Sequence, residues 1–142
     1  MGLLECHGEV RTKVVCDTTR ETLHGEVKCH VEKGAELFTD AWKAYKGLDE
    51  EYIHQVIDHA EQYVKGNIHT KGIENFWSLL KRSIKGTYVS VEPFHLFRYL
   101  DEQSFRFNTR RGKDADRFVQ AVKSIAGKRL TYEELIGNQT CH

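Results

Sequence analysis

Ile73, Phe76, Trp77, Leu80 and Ile84 recur at the spacing of one helix face. An apolar stripe of that kind is soluble only when another element covers it, so the chain must build at least two packed layers. Gly86 is expected to close this helix. Pro93 suits the first turn of a second helix that runs to about Asn108 and is apolar on more than one face. A third helix is predicted from Asp114 to Ala126, stopped by Gly127, with Phe118, Val119, Val122 and Ile125 buried. Thr131 and Glu134 form a capping box for a last short turn. The first 60 residues carry a different pattern. Gly2–Cys6 and Val10–Val15 read as short strands turning at His7-Gly8, and 35–39 and 52–57 read as two more. Between them lies a helix from about Thr19 to Val31, capped by Thr18 and Glu21 and striped by Leu23, Val27 and Val31. A brief helix is expected around Trp42–Tyr45. Strands first and helices after define an α/β chain with a sheet-rich part, 1–60, and a helical part, 69–136, in one domain. Pro93 is the single proline and there is no internal repeat, so no linker divides the chain.

Composition removes several classes. Of the 142 residues, 39% are hydrophobic and 30% charged, a globular balance. No apolar run approaches the roughly 20 residues of a membrane helix. The opening MGLLECHGEV lacks the basic flank and apolar block of a secretory signal. Cys6, Cys16, Cys29 and Cys141 form no CxxC pair, so reduced thiols in a cytoplasm are expected. The net charge of zero divides unevenly: residues 1–62 hold 7 Lys/Arg against 13 Asp/Glu, whereas 63–142 hold 14 against 8. A basic half beside an acidic half suits a phosphate-binding surface next to a metal site, although charged helix faces are also ordinary.

Asp40 lies where an apolar strand ends and the chain turns. It is placed equally well to serve as a ligand or as a cap for the turn at Trp42. Glu74 and Lys81, seven residues apart, stand two turns from each other along the edge of the apolar stripe. There they would complete a metal site and hold a phosphate, or simply keep the helix soluble. His54, Asp58, His59 and His69 lack the paired clusters of structural zinc, and His59 and His69 fit better as groups around a carboxylate site. Arg106, Arg110, Arg111 and Lys113 gather around Phe105, Phe107 and Asn108 and would grip a DNA backbone, with at least one of the two phenylalanines in the core. No Ser-His-Asp order, phosphate-cradling glycine loop or GxSxG elbow is present.

The run HTKGIENFWSLLKRSIKGTYVSVEPFHLFRYLDEQSFRFNTRR, from His69 to Arg111, resembles the insertion-sequence transposases of the ISXO-like group. FTDAWKAYKGL from Phe38, VIDHAEQYV from Val56 and the closing GKRLTYEEL extend the resemblance over nearly the whole chain. It implies an RNase H-like mixed sheet with flanking helices and a DDE-type site. In that site three acidic groups bind two Mg²⁺ or Mn²⁺ ions for DNA cleavage and strand transfer. By position, Asp40 would be the second acidic ligand and Glu74 the third, with Lys81 contacting DNA near the scissile phosphate. Lys81, Arg82, Arg106, Arg110 and Arg111 would form the DNA-binding set. The family's first aspartate lies on a central strand upstream of Met1, and no residue here matches it. Asp17 follows the second strand of the pattern and is no substitute. Lys71 stands where relatives carry asparagine. The expectation is therefore a truncated catalytic portion, with little activity alone and its first central strand missing. The alternative is a non-catalytic DNA-binding remnant or interaction module. DNA is the expected partner, a homo-oligomer is expected of the full-length protein, no membrane is involved, and the bacterial cytoplasm or nucleoid is the expected location.

Overall fold

The computed structural model describes residues 1–57 and 71–136. Strand β1 (Gly2–Leu4) pairs antiparallel with β2 (Val10–Thr12), with Leu3 opposite Arg11. Helix α1 (Arg20–His30) follows, then β3 (Glu36–Thr39), two short 3₁₀ turns, and β4 (Ile53–Val56), which runs parallel to β3. The second half is helical: α2 (Lys71–Ser83), α3 (Leu96–Asn108), α4 (Asp114–Ile125) and the single turn α5 (Tyr132–Ile136). The mixed α/β composition is as expected. The four strands form two separate two-stranded sheets, β1-β2 and β3-β4.

Each sheet serves its own core. Val10, Phe76 and Phe107 form one buried cluster, joined by Leu4, Ile73, Trp77 and Leu79. Phe76 is fully buried and meets both Trp77 and Phe107 edge-on, at centroid distances of 5.0 and 5.5 Å. Val27, Leu48 and Tyr52 form the other cluster, joined by Met1, Leu3, Val31, Leu37 and Tyr45. Strand alternation sends Leu3 to one cluster and Leu4 to the other, so β1 lies between them. The close approach of β1 to α2 needs glycine. A Cβ at Gly2 would come within 2.6 Å of the Trp77 ring.

Asn108, the last residue of α3, holds the outer edge of the hairpin. Its side-chain oxygen accepts from the Val10 N–H at 2.8 Å, and its amide donates to the Val10 carbonyl at 3.0 Å. The amide thus occupies the place of a third strand at that residue. Thr12 and Ser104 hydroxyls add a contact at 3.0 Å.

Several boundaries differ from the sequence reading. The cap of α1 is Thr19, whose hydroxyl accepts from the Thr22 N–H, while Asp17 in turn holds Thr19. Gly86 does not stop α2. The chain instead widens into a π turn over Ile84–Tyr88, and Val89 follows at φ 63°. The largest departure is α4, of which no residue is buried. Phe118 is 70% exposed and Ile125 64%, with Val119 and Val122 also exposed. A helical stripe specifies a face, and among the described residues nothing covers this one. The Thr131–Glu134 capping box forms as expected: Thr131 N–H donates to the Glu134 carboxylate and Glu134 N–H to the Thr131 hydroxyl.

Replacing Asn108 by Ala leaves the Val10 N–H and carbonyl unpaired in a half-buried edge. It is expected to lower stability by about 2 kcal/mol in urea denaturation. Three carboxyls sit below their ordinary values: Asp17 through the Thr19 hydroxyl, Glu51 through Lys28 and Lys33, and Glu134 through the Thr131 backbone and hydroxyl. A depressed carboxyl contributes stability that is complete above its unfolded value, 3.8 for Asp and 4.5 for Glu, and is lost on further acidification. The melting temperature is therefore expected to fall below pH 4.5, and to fall less in Glu51→Gln.

Candidate functional site

Asp40 follows the last residue of β3, where the strand runs out and the chain turns into the 3₁₀ turn Lys43–Tyr45. It is exposed, and its Oδ1 accepts from the Trp42 N–H at 3.2 Å. The turn-forming role is thus present, and it leaves the second carboxylate oxygen available to a ligand. Beside it, the Thr39 hydroxyl meets the His54 ring at 2.8 Å, so the adjacent strand ends are tied together by side chains as well as by the ladder. Burial first, and then the Asp40 charge, push the Tyr45 phenol above its ordinary value, which places that carboxylate's field on the Tyr45 ring.

Glu74 stands in the first turn of α2, where a carboxylate is favoured by the helix dipole, and its side chain is exposed. Lys71 opens the same helix one turn earlier. Lys81 and Arg82 lie in its last turn and Lys85 in the π turn, all exposed. The helix therefore carries its carboxylate at one end and its basic groups at the other. Among the described residues, no group of three His, Cys, Asp or Glu side chains converges as a metal site. Asp58, His59 and His69 lie outside the described residues. Cys6, Cys16 and Cys29 are unpaired and exposed.

The arginines expected on DNA are not equivalent. Arg106 pairs with Glu102 one turn back, at 2.9 Å from Nε and 2.8 Å from Nη2. Arg110 lies over the Phe107 ring, 4.0 Å from its centroid, and donates to the Phe107 carbonyl at 2.7 Å. Its stem therefore covers the end of the core while the residue stays exposed. Arg111 is exposed in the turn before α4. Phe107 belongs to the core, as expected for one of the two phenylalanines. Sequence reasoning passed over a group on the opposite side of α2 from Glu74's edge: Ser83, Thr87, Tyr88, Tyr99, Glu102 and Gln103 line a cavity of about 290 Å³. The signal was weak because these residues come from two helices and a π turn that shifts the helical phase.

The ISXO2-like transposase domain matches residues 1–108, and the chain belongs to that family. No curated protein and no solved structure matches it. The matched span ends at Asn108, so it contains both cores and the amide that closes the hairpin edge, and it stops short of α4 and α5. No described helix is long and apolar enough to cross a membrane.

Asn replacing Asp40 removes the charge near Tyr45 but leaves its burial. The Tyr45 transition is therefore expected to move down partway toward 10.0 without reaching it, as read by NMR-detected titration.

Proposed function

We propose that this chain is the catalytic portion of a transposase, in which Asp40 and Glu74 are two of three metal-binding carboxylates for DNA cleavage and strand transfer. The observation that carries the reading is the family match over residues 1–108, with Asp40 at the end of β3 and Glu74 opening α2 inside it. Carboxylate oxygens suit a hard divalent ion, and Asp40 keeps one oxygen out of its turn. Asp40 and Glu74 would hold Mg²⁺ or Mn²⁺, which supplies charge neutralisation at the attacking and leaving oxygens of phosphate. Lys81, two turns along α2 and exposed, would bind phosphate next to that centre, with Arg82, Arg106 and Arg111 extending the contact along the backbone and Arg110 contributing its edge.

The sheet arrangement supports an RNase H-like reading. The Glu5–Glu9 and Met1–Lys13 backbone bonds set the ladder of the hairpin, so the N–H and C=O groups of Gly2 and Leu4 face away from β2. In the parallel pair, the Ile53–Ala35 and Ile57–Thr39 bonds turn the groups of Glu36 and Phe38 away from β4. Leu3 and Leu37 reach the same core cluster from these two strands. One strand placed between β1 and β3 would pair with both edges and join the two sheets, and it is the natural carrier of the first carboxylate. With that carboxylate unmatched in this chain, cleavage by the chain alone should be marginal.

A second reading, a DNA-binding module without cleavage, is favoured by the exposed basic row Lys81, Arg82 and Lys85 on α2 and its π turn. It needs no metal. The two readings separate in one pair of assays. Salt-sensitive binding to any duplex is expected, weakened about tenfold when Arg110 and Arg111 are both changed to Ala and unchanged in Asp40→Asn. Nicking of supercoiled DNA in Mg²⁺ or Mn²⁺ is expected to be at the limit of detection. Nicking that Asp40→Asn abolishes would establish the catalytic reading, and binding with none would leave the second.

A further inference from the structure

The cavity between the end of α2 and α3 has a built interior. Leu80 and Ile84 give it an apolar floor. The rings of Tyr88 and Tyr99 meet edge-on at 4.7 Å and make one wall. That wall is fixed from behind. The Tyr88 hydroxyl donates to Glu102, and the other oxygen of Glu102 accepts from Arg106 Nε and pairs with its Nη2. The bond to Glu102 pushes the Tyr88 phenol above its ordinary value, so it remains a donor throughout the neutral range.

Gln103 is the single buried polar side chain among the described residues, 8% exposed. Among the described residues, its side chain accepts a hydrogen bond from the Ser83 hydroxyl at 3.4 Å. Gln103 lines the cavity, where its amide can both donate and accept. The backbone is unusual beside the cavity. The π turn Ile84–Tyr88 forms the cavity's rim, and Val89, β-branched, follows it at φ 63° and ψ −51°. Both features are uncommon in folded chains.

We propose that this cavity receives a single nucleobase from an unstacked DNA strand, an inference that rests on the DNA reading above. About 290 Å³ lies at the lower end of ligand pockets and suits one ring system rather than a whole nucleotide. An aromatic wall offers its face or edge to a flat ring, and the Gln103 amide offers a hydrogen bond to the base edge. Glu102 and Arg106 neutralise each other in the wall, so the interior presents no net positive charge to a phosphate. Phosphates flanking the base would instead meet Arg106 at the mouth and Lys85 on the π turn, both exposed. The occupant is neutral in the cavity and charged only outside it.

Two probes test this on the full chain. In saturation-transfer NMR with each of the four deoxynucleosides, at least one is expected to bind. Gln103→Leu should weaken that binding about tenfold, the loss of one hydrogen bond. Thr87→Trp should abolish it by filling the mouth from an exposed position that leaves the core intact. A duplex carrying 2-aminopurine opposite a mismatch should brighten several-fold on binding to the native chain and not to Thr87→Trp, at equal duplex affinity. No binding of any deoxynucleoside, or binding indifferent to Thr87→Trp, would overturn the assignment. Duplex binding with neither signal would remove the cavity's role and leave the DNA reading standing. Nucleoside binding without duplex binding would support the cavity and remove the DNA reading.

Discussion

Everything else in this small domain hangs on the alternation of three residues in β1. Because successive side chains of a strand leave opposite faces, Leu3 enters the cluster under α1 and β3 while Leu4 enters the one under α2 and α3. A one-residue slip of the hairpin would exchange those assignments and open both clusters at once. Gly2 belongs to the same arrangement, since any side chain there would meet the Trp77 ring and lift α2 from the strand. The register is fixed by the backbone bonds at Met1–Lys13 and Glu5–Glu9.

A hairpin used in this way has two edges to manage. On the β2 side the solution is internal: Asn108 supplies a donor and an acceptor to Val10, as a neighbouring strand would. That amide is the last residue of the span matched by the family, which gives the boundary a physical meaning. On the β1 side the described residues offer the backbone groups of Gly2 and Leu4 without an equivalent side-chain device. The two edges of the hairpin are thus treated differently among the described residues.

What was legible in the residues was local. The stripe through Ile73, Phe76 and Leu80, the strand ending at Thr39, and the Thr131–Glu134 box each declare themselves within a few positions, and each formed. Less legible was anything decided by a partner element. The spacing of Phe118, Val122 and Ile125 announces an apolar face correctly but is silent about what meets it, and among the described residues nothing covers that face. Gly86 reads as a helix stop, yet the backbone accommodates it by widening into a π turn. Asp40 and Glu74 stand out as carboxylates at favourable positions, but their mutual placement depends on 33 intervening residues, 13 of them outside the described ones. The Gln103 cavity escaped notice because its lining is drawn from three elements whose phase no single periodicity carries.

The exposed face of α4 has a consequence for how the molecule breathes. A twelve-residue helix is marginal in water when no tertiary contact supports it, and no residue of α4 is buried. Its opening therefore costs little beyond the helix itself, whereas opening α2 or α3 means dismantling the cluster around Phe76. The amide protons of α4 should exchange with solvent far ahead of those of α2 and α3. The molecule thus has a gradient of local stability along its chain, steepest just after Asn108.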